Sequence, residues 1–258
     1  MRTKLENYSR LGAYDEGDQP DFGLNNGTQT TRDGFGGSMK KIARTLGLLA
    51  AVLLIGRSAM ADDKAASAVP ELEIGKPAPD FSLPGTDGKT YAFKDVAGTK
   101  GTLVVFTCNH CPFAVAYQQR IMDLTAKYKP LGIGVVAISC NDAVAYPDDG
   151  FAQMKQRADS MKYNFPYLYD ETQQVAQKYG PKVTPHTFLF DAKGNLAYRG
   201  RVDDSVKENA VKKRELADAL DALVAGKPVA VAATTAFGCS IKWKSAATPA
   251  AASTKKTT

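Results

Sequence analysis

Gly101-Thr-Leu-Val-Val-Phe-Thr-Cys-Asn-His-Cys-Pro112 decides the fold. The run to Thr107 is continuously apolar and β-rich, the pattern of a strand buried on both faces. Pro112 suits the opening of a helix, and Ala116, Ile121, Leu124 and Tyr128 are expected to point inward until Pro130 and Gly132 stop it. Ile133-Gly-Val-Val-Ala-Ile-Ser139 reads as a second buried strand. A strand, helix and strand joined by a crossover of this length form a parallel, right-handed βαβ unit.

Working outward, Pro77-Ala-Pro-Asp-Phe-Ser-Leu-Pro84 followed by Thr86-Asp-Gly-Lys89 reads as extended chain, turn and return, with Asp87-Gly88 as the hairpin signal. Beyond the βαβ unit, residues 141–150 read as loop, 151–162 as helix, 167–169 as a short strand and 172–179 as helix. Val183-Thr-Pro-His-Thr-Phe-Leu-Phe190 predicts a strand that turns at Asp191-Ala-Lys-Gly194 and returns through Leu196 to Val202. An amphipathic helix from about Val211 to Ala225 closes the domain at Gly226. This is the order of a thioredoxin fold. The expectation is an α/β architecture with a central mixed sheet flanked by helices, an N-terminal β-hairpin and an insertion after the second central strand. The domain is expected over residues 69–244, and the low-complexity stretch 245–258 as a disordered tail.

The N-terminal part has a different character. Residues 1–38 hold 7 of the 22 glycines and show no apolar periodicity, so they are expected to be disordered. Met39-Lys40-Lys41 and Arg44 then lead into an apolar run from Leu46 to Ile55, followed by Ala59-Met60-Ala61. Basic start, short apolar run and small residues make residues 39–61 a signal peptide, with cleavage near Ala61-Asp62. Only the 12 residues from Thr45 to Gly56 separate Arg44 from Arg57, against about 20 for a membrane span. The mature form is therefore expected to carry no membrane span and to be periplasmic or secreted. Translation is expected to begin at Met39, residues 1–38 reflecting an upstream start. Without residues 1–61 the net charge falls from +6 to +4, which reads as a solvated face rather than a nucleic-acid footprint.

The chemistry lies in Cys108-Asn-His-Cys111-Pro112. Two thiols at i and i+3, at a strand-to-helix junction, suit reversible dithiol–disulfide exchange. The first gains acidity from the helix N-terminus, and the second is one turn on, close enough to close a disulfide. His110 between them adds a positive charge expected to lower the thiolate pKa and make the pair more oxidising. No second CxxC or HxxxH accompanies the motif, which argues against a zinc knuckle. In a thioredoxin fold a cis proline before the hairpin faces the thiols, and the order of elements makes Pro185 of Val183-Thr184-Pro185 the residue expected to fill that place.

From Gly75-Lys-Pro-Ala-Pro-Asp-Phe81 to Gly238-Cys-Ser-Ile-Lys-Trp-Lys244, the chain resembles the AhpC/TSA-like, peroxiredoxin-like redoxin branch of the thioredoxin superfamily, with a CNHCP motif. Tyr146-Pro-Asp-Asp149, Phe165-Pro-Tyr-Leu168, Asp170-Glu-Thr-Gln173, Tyr198-Arg-Gly200 and Asp203-Asp204 carry the likeness further. The resemblance implies thiol-based oxidoreductase or antioxidant activity. It departs from thioredoxin in having Thr107 where a tryptophan precedes the motif, the single tryptophan being Trp243. A peroxidatic cysteine wants a threonine three residues before it. For Cys111 that place is held by Cys108, and Thr107 is one residue out of register. Arg199 and Arg201 are the arginines considered for holding peroxide, and both read more readily as exposed hairpin residues.

The expected activity is thus exported thiol–disulfide exchange. Cys108 is the exposed attacking thiolate, Cys111 resolves, His110 tunes, and Thr184 and Pro185 shape the docking loop. The partners are a protein dithiol or disulfide client and an electron donor or acceptor, and no cofactor beyond the redox-active disulfide is expected. Cys140 and Cys239 remain: by elimination they pair, or Cys140 is a buried apolar residue, or Cys239 resolves a mixed disulfide from a flexible tail. Two alternatives are a thiol peroxidase and a Sco-type copper protein. Copper would be held by Cys108, Cys111 and His186, although Sco proteins space their cysteines by one more residue.

Overall fold

The computed structural model describes residues 69–245. The expectations for residues 1–38, for the signal peptide 39–61 and for nearly all of the tail lie outside the described residues. A hairpin of β1 (Ser82–Pro84) and β2 (Thr90–Ala92) and a one-turn helix α1 (Phe93–Val96) lead into β3 (Gly101–Phe106). Then come α2 (Pro112–Tyr128), β4 (Ile133–Ser139), α3 (Phe151–Met161), β5 (Tyr167–Tyr169) and α4 (Gln174–Tyr179). The chain ends through β6 (Val183–Thr184), β7 (His186–Asp191), β8 (Leu196–Gly200), α5 (Glu215–Val224) and β9 (Cys239–Ser240).

The central sheet has the order β5-β4-β3-β7-β8. β3 and β5 run parallel to β4, whereas β7 is antiparallel to β3 and β8 to β7. This is the thioredoxin fold expected from the order of elements, with β5 of the insertion forming one edge. Every residue of β3 is buried, as its unbroken apolar run requires. Alternation divides those residues between two cores. Leu103, Val105, Val135 and Leu189 face α2 and α5, against Tyr117, Ile121, Tyr128, Leu216 and Leu220. Val104, Phe106, Val136, Phe188 and Phe190 face the other way, against Phe81, Leu83, Val96 and Tyr179. Complete burial of each such aromatic or aliphatic side chain contributes about 1.5–3 kcal/mol.

Three expectations need correction. Ala116 is exposed, because the inward stripe of α2 is Ala114, Tyr117, Ile121, Thr125 and Tyr128, and a step of five residues from Ala116 to Ile121 leaves the helical face. The last helix begins only at Glu215, four residues later than expected, after the basic run Lys212-Lys213-Arg214. The strand expected from Val183 to Phe190 is two strands. Pro185 lacks the N–H that a continuous ladder needs, so β6 pairs with β9 while β7 enters the central sheet. Among the described residues, no helix is long and apolar enough to cross a membrane.

Candidate active site

Cys108 follows the end of β3, and Cys111 is the N-cap of α2 with φ −68° and ψ 121°. The second cysteine was expected inside the first helical turn. The helix opens at Pro112 instead, so both sulfurs belong to the strand–helix connection. Cys108 is 4% exposed and Cys111 not at all, so the thiolate expected to be exposed is covered.

One wall of the site comes from the loop after β4. A short 3-10 turn at Pro147–Asp149 delivers the fully buried Asp149 beneath the motif. Its Oδ1 accepts the backbone N–H of Asn109 at 2.7 Å and of His110 at 3.1 Å. Its Oδ2 accepts Asn141 Nδ2 at 2.9 Å and lies 2.5 Å from His110 Nδ1. The turn is fixed further through Asn109, whose Nδ2 donates to the Asp148 carbonyl at 2.8 Å and whose Oδ1 accepts the Tyr167 hydroxyl at 3.1 Å. Arg157 Nη2 donates to the Asn109 carbonyl at 3.2 Å. His110 stacks on Tyr146, centroids 4.9 Å apart.

The opposite wall is β6 and the residue after it. The Thr184–Pro185 bond is cis, as its position suggested. Thr184 Oγ1 is 3.4 Å from Cys108 Sγ, and the Cys111 thiol donates to the Thr184 carbonyl at 3.3 Å. Across the β6–β9 ladder, Thr184 is paired with Cys239. Cys239 and Phe113 pack on the cluster of Cys108, Cys111 and Ala114, and Phe113 meets Phe237 edge-on with centroids 6.3 Å apart.

The two thiols of the motif are pushed in opposite directions. The hydrogen bond from Cys108, with lesser help from Cys239 and Thr184, lowers Cys111 to about 4 against the opposition of burial. The same bond holds Cys108 well above the ordinary thiol range, reinforced by burial and by the Asp149 carboxylate. His110 was expected to bring positive charge to the sulfurs. The structure gives its ring a buried carboxylate partner, so an imidazolium there is balanced by Asp149.

The remaining expected residues lie elsewhere. His186 is buried in β7, where its Nδ1 accepts the Lys182 N–H at 3.2 Å and its ring packs on Phe188. Burial, with Lys182 adding to it, pushes His186 down to about 4. Among the described residues, the one compact set of potential metal ligands is Cys108, His110 and Asp149, within 4.8 Å of one another; Cys108, Cys111 and His186 do not form such a set. Arg199 and Arg201 are not exposed. Each is half-buried and ion-paired, with Glu71 and Glu215 respectively, and the arginine that touches the motif is Arg157. All four cysteines are free, and Cys140 and Cys239 lie in different clusters. Cys140 sits in the core on the Phe106 face of the sheet, its thiol raised by burial, whereas Cys239 lies beside Cys111.

Sequence reasoning missed the roles of Asp149, Asn109, Arg157 and Gln173. Gln173 Nε2 donates to the carbonyls of Cys140 and Lys242 at 2.6 and 2.8 Å, and its Oε1 accepts Lys244 N–H at 2.8 Å, which ties the C-terminal segment to the site. The residues Tyr146-Pro-Asp-Asp149 and Gly238 to Lys244 stood out only as family landmarks.

A thioredoxin-fold sheet with two thiols at the strand–helix turn, facing a cis-proline loop, defines a redoxin. Residues 74–199 match the model of the AhpC/TSA family and form a domain of that family. A conserved uncharacterised protein of Geobacillus kaustophilus has a structure similar to this one at TM-score 0.65 and 42% identity, covering 68% of this chain and 94% of its own. A hypothetical protein of Sinorhizobium meliloti 1021 is similar at TM-score 0.64 and 34% identity, covering 69% and 98%. The thiol-disulfide oxidoreductase ResA of Bacillus thuringiensis is 28% identical over 129 residues, 49% of this chain and 68% of ResA.

Proposed function

We propose that the chain is an exported thiol–disulfide oxidoreductase that cycles Cys108 and Cys111 between dithiol and disulfide. The observation that carries this reading is the packing of two adjacent thiols at a strand–helix junction, both held by Thr184 beside the cis Pro185. The name of the ResA relative supports it.

Cys108, the member of the pair with some surface, attacks one sulfur of a client disulfide and passes its proton to the Cys111 thiolate. One client thiolate leaves and is protonated by water. Cys111 then loses its proton and attacks the Cys108 sulfur, releasing the second client thiolate. The client gains two electrons, the protein loses two, and the Cys108–Cys111 bond has formed. Thr184 holds both sulfurs, Pro185 leaves the docking loop without an N–H at that point, and His110 with Asp149 orders the turn. The partners are a protein client and a dithiol or disulfide electron partner, and no cofactor beyond the disulfide takes part. Cleavage near Ala61-Asp62 delivers the protein to a periplasm or the exterior.

Equilibration of the purified protein with mixtures of reduced and oxidised glutathione tests the activity. A reversible Cys108–Cys111 disulfide is the expected result; thiols that stay reduced at every ratio would overturn the reading. For export, N-terminal sequencing should find Asp62, and a mature chain retaining Thr3 or Gly34 would contradict it.

A further inference from the structure

We infer that Cys239 is a third redox thiol, which takes the disulfide from the buried pair by exchange with Cys111 and presents it at the surface to a reducing dithiol. This deepens the proposed function and rests on it.

Position is the first argument. Cys239 is opposite Thr184 in the β6–β9 ladder, and the Thr184 carbonyl is the acceptor of the Cys111 thiol at 3.3 Å. The Cys239 side chain packs on Cys108, Cys111 and Ala114. The segment is held in place on both sides. Gly238 has φ +150°, and a Cβ there would stand 2.1 Å from the Thr184 carbonyl oxygen, so only glycine allows this approach. Beyond Cys239, Ile241 N–H donates to Lys182 at 3.2 Å, and the Lys242 carbonyl accepts Asp142 N–H at 2.9 Å. Cys239 is a docked strand residue, not the flexible tail thiol considered from sequence.

Arrangement is the second. Cys111 interacts with two other thiols, Cys108 and Cys239, and all three pack in one cluster. Exchange at Cys111 therefore links the other two, moving a disulfide from Cys108–Cys111 to Cys111–Cys239. Exposure makes Cys239 the outlet: Cys111 is inaccessible, Cys108 is 4% exposed, and Cys239 is half-buried. The step balances without an outside oxidant. The Cys239 thiol gives up its proton and attacks Cys111 Sγ, the Cys108–Cys111 bond breaks, the Cys111–Cys239 bond forms, and Cys108 leaves as a thiolate that takes the proton. A dithiol reductant then attacks Cys239 and carries the oxidation away.

Electrostatics orders the events. Burial and the negatively charged Cys111 push Cys239 up to about 11 in the reduced protein. Once Cys111 is in a disulfide that charge is gone, and Cys239 becomes a better nucleophile.

The test is to oxidise the reduced protein with one equivalent of diamide, quench in acid, block free thiols and map the disulfides by peptide mass spectrometry. Wild type is expected to give Cys108–Cys111 together with a Cys111–Cys239 cross-link. Cys108→Ser, checked for folding by circular dichroism, is expected to give the Cys111–Cys239 bond in most molecules. A wild-type map with Cys108–Cys111 alone overturns the inference and leaves the proposed function standing. A folded C108S protein without the Cys111–Cys239 bond overturns it equally. Failure of the Cys108–Cys111 bond itself would instead remove the reading beneath both.

Discussion

The two walls of the site are built from opposite materials. The loop after β4 never meets a sulfur in a hydrogen bond; Asp149 binds the backbone of the CxxC turn and the His110 ring. The β6–β9 wall does the reverse and meets the sulfurs themselves, through Thr184 and Cys239. Shape is thus governed from one side, which reaches the sulfurs only through the field of Asp149 on Cys108, whereas the other side bonds the sulfurs directly. Mutations on the two sides should separate stability from thiol chemistry.

The sharpest way to break that division is Asp149→Ala. Four donors converge on this buried carboxylate, and removing it strands two backbone N–H groups inside the protein. Denaturant unfolding of the reduced protein should show a loss of about 3 kcal/mol, with Asp149→Asn recovering part of it. A loss below about 1 kcal/mol would mean that the turn is shaped elsewhere.

Gly238→Ala tests the other wall and is expected to cost less, about 1–3 kcal/mol, because a two-residue ladder shifts more easily than a buried turn. Its larger signature is chemical. With β9 displaced from Thr184, Cys239 should react with an alkylating reagent several-fold faster. An unchanged alkylation rate would show that β9 does not shield this thiol.

The division also explains what the sequence could reveal. The alternation and unbroken apolar runs of β3 and β4 encode their burial locally, so the fold was legible from residues 101–139. The motif and Thr184-Pro185 were legible because their chemistry is carried by residue type. Asp149 was not, since an acid in a loop acquires its role only when tertiary folding places it 2.7 Å from Asn109 N–H, 40 residues away. The place of Cys239 is not encoded locally, because a two-residue strand has no detectable period. His186 was offered to the thiols because the break at Pro185 is invisible to a pattern search. That break sends His186 into β7 on the face of Phe188.

Acid titration isolates the sulfur side. Cys111 in the folded reduced protein lies near 4, below the 9.0 of an ordinary thiol. Between these values the unfolded chain holds a proton that the folded chain does not, so stability rises with pH through this window and is lost on acidification through the lower value. His186, lowered to about 4 from 6.5, adds a rise confined to the acid half of the range. Cys111→Ser should remove the dependence above pH 6.5 and leave only the His186 share below it. A C111S profile parallel to wild type above that point would show that the thiol pair does not carry it.

Thr184→Val should have the smallest effect and the narrowest meaning. Valine keeps the shape of this buried side chain and the backbone carbonyl that accepts the Cys111 thiol, and removes only the hydroxyl 3.4 Å from Cys108. That hydroxyl lowers both thiols, so its loss should raise the pH at which thiolate absorbance appears. The stability cost is about 0.5–1.5 kcal/mol, the net worth of one hydrogen bond. Thr184→Ser restores the hydroxyl without the methyl group and should return the titration toward wild type. If serine and valine titrate alike, the wall acts on the sulfurs through packing and the backbone carbonyl alone, and its chemical role passes to Cys239.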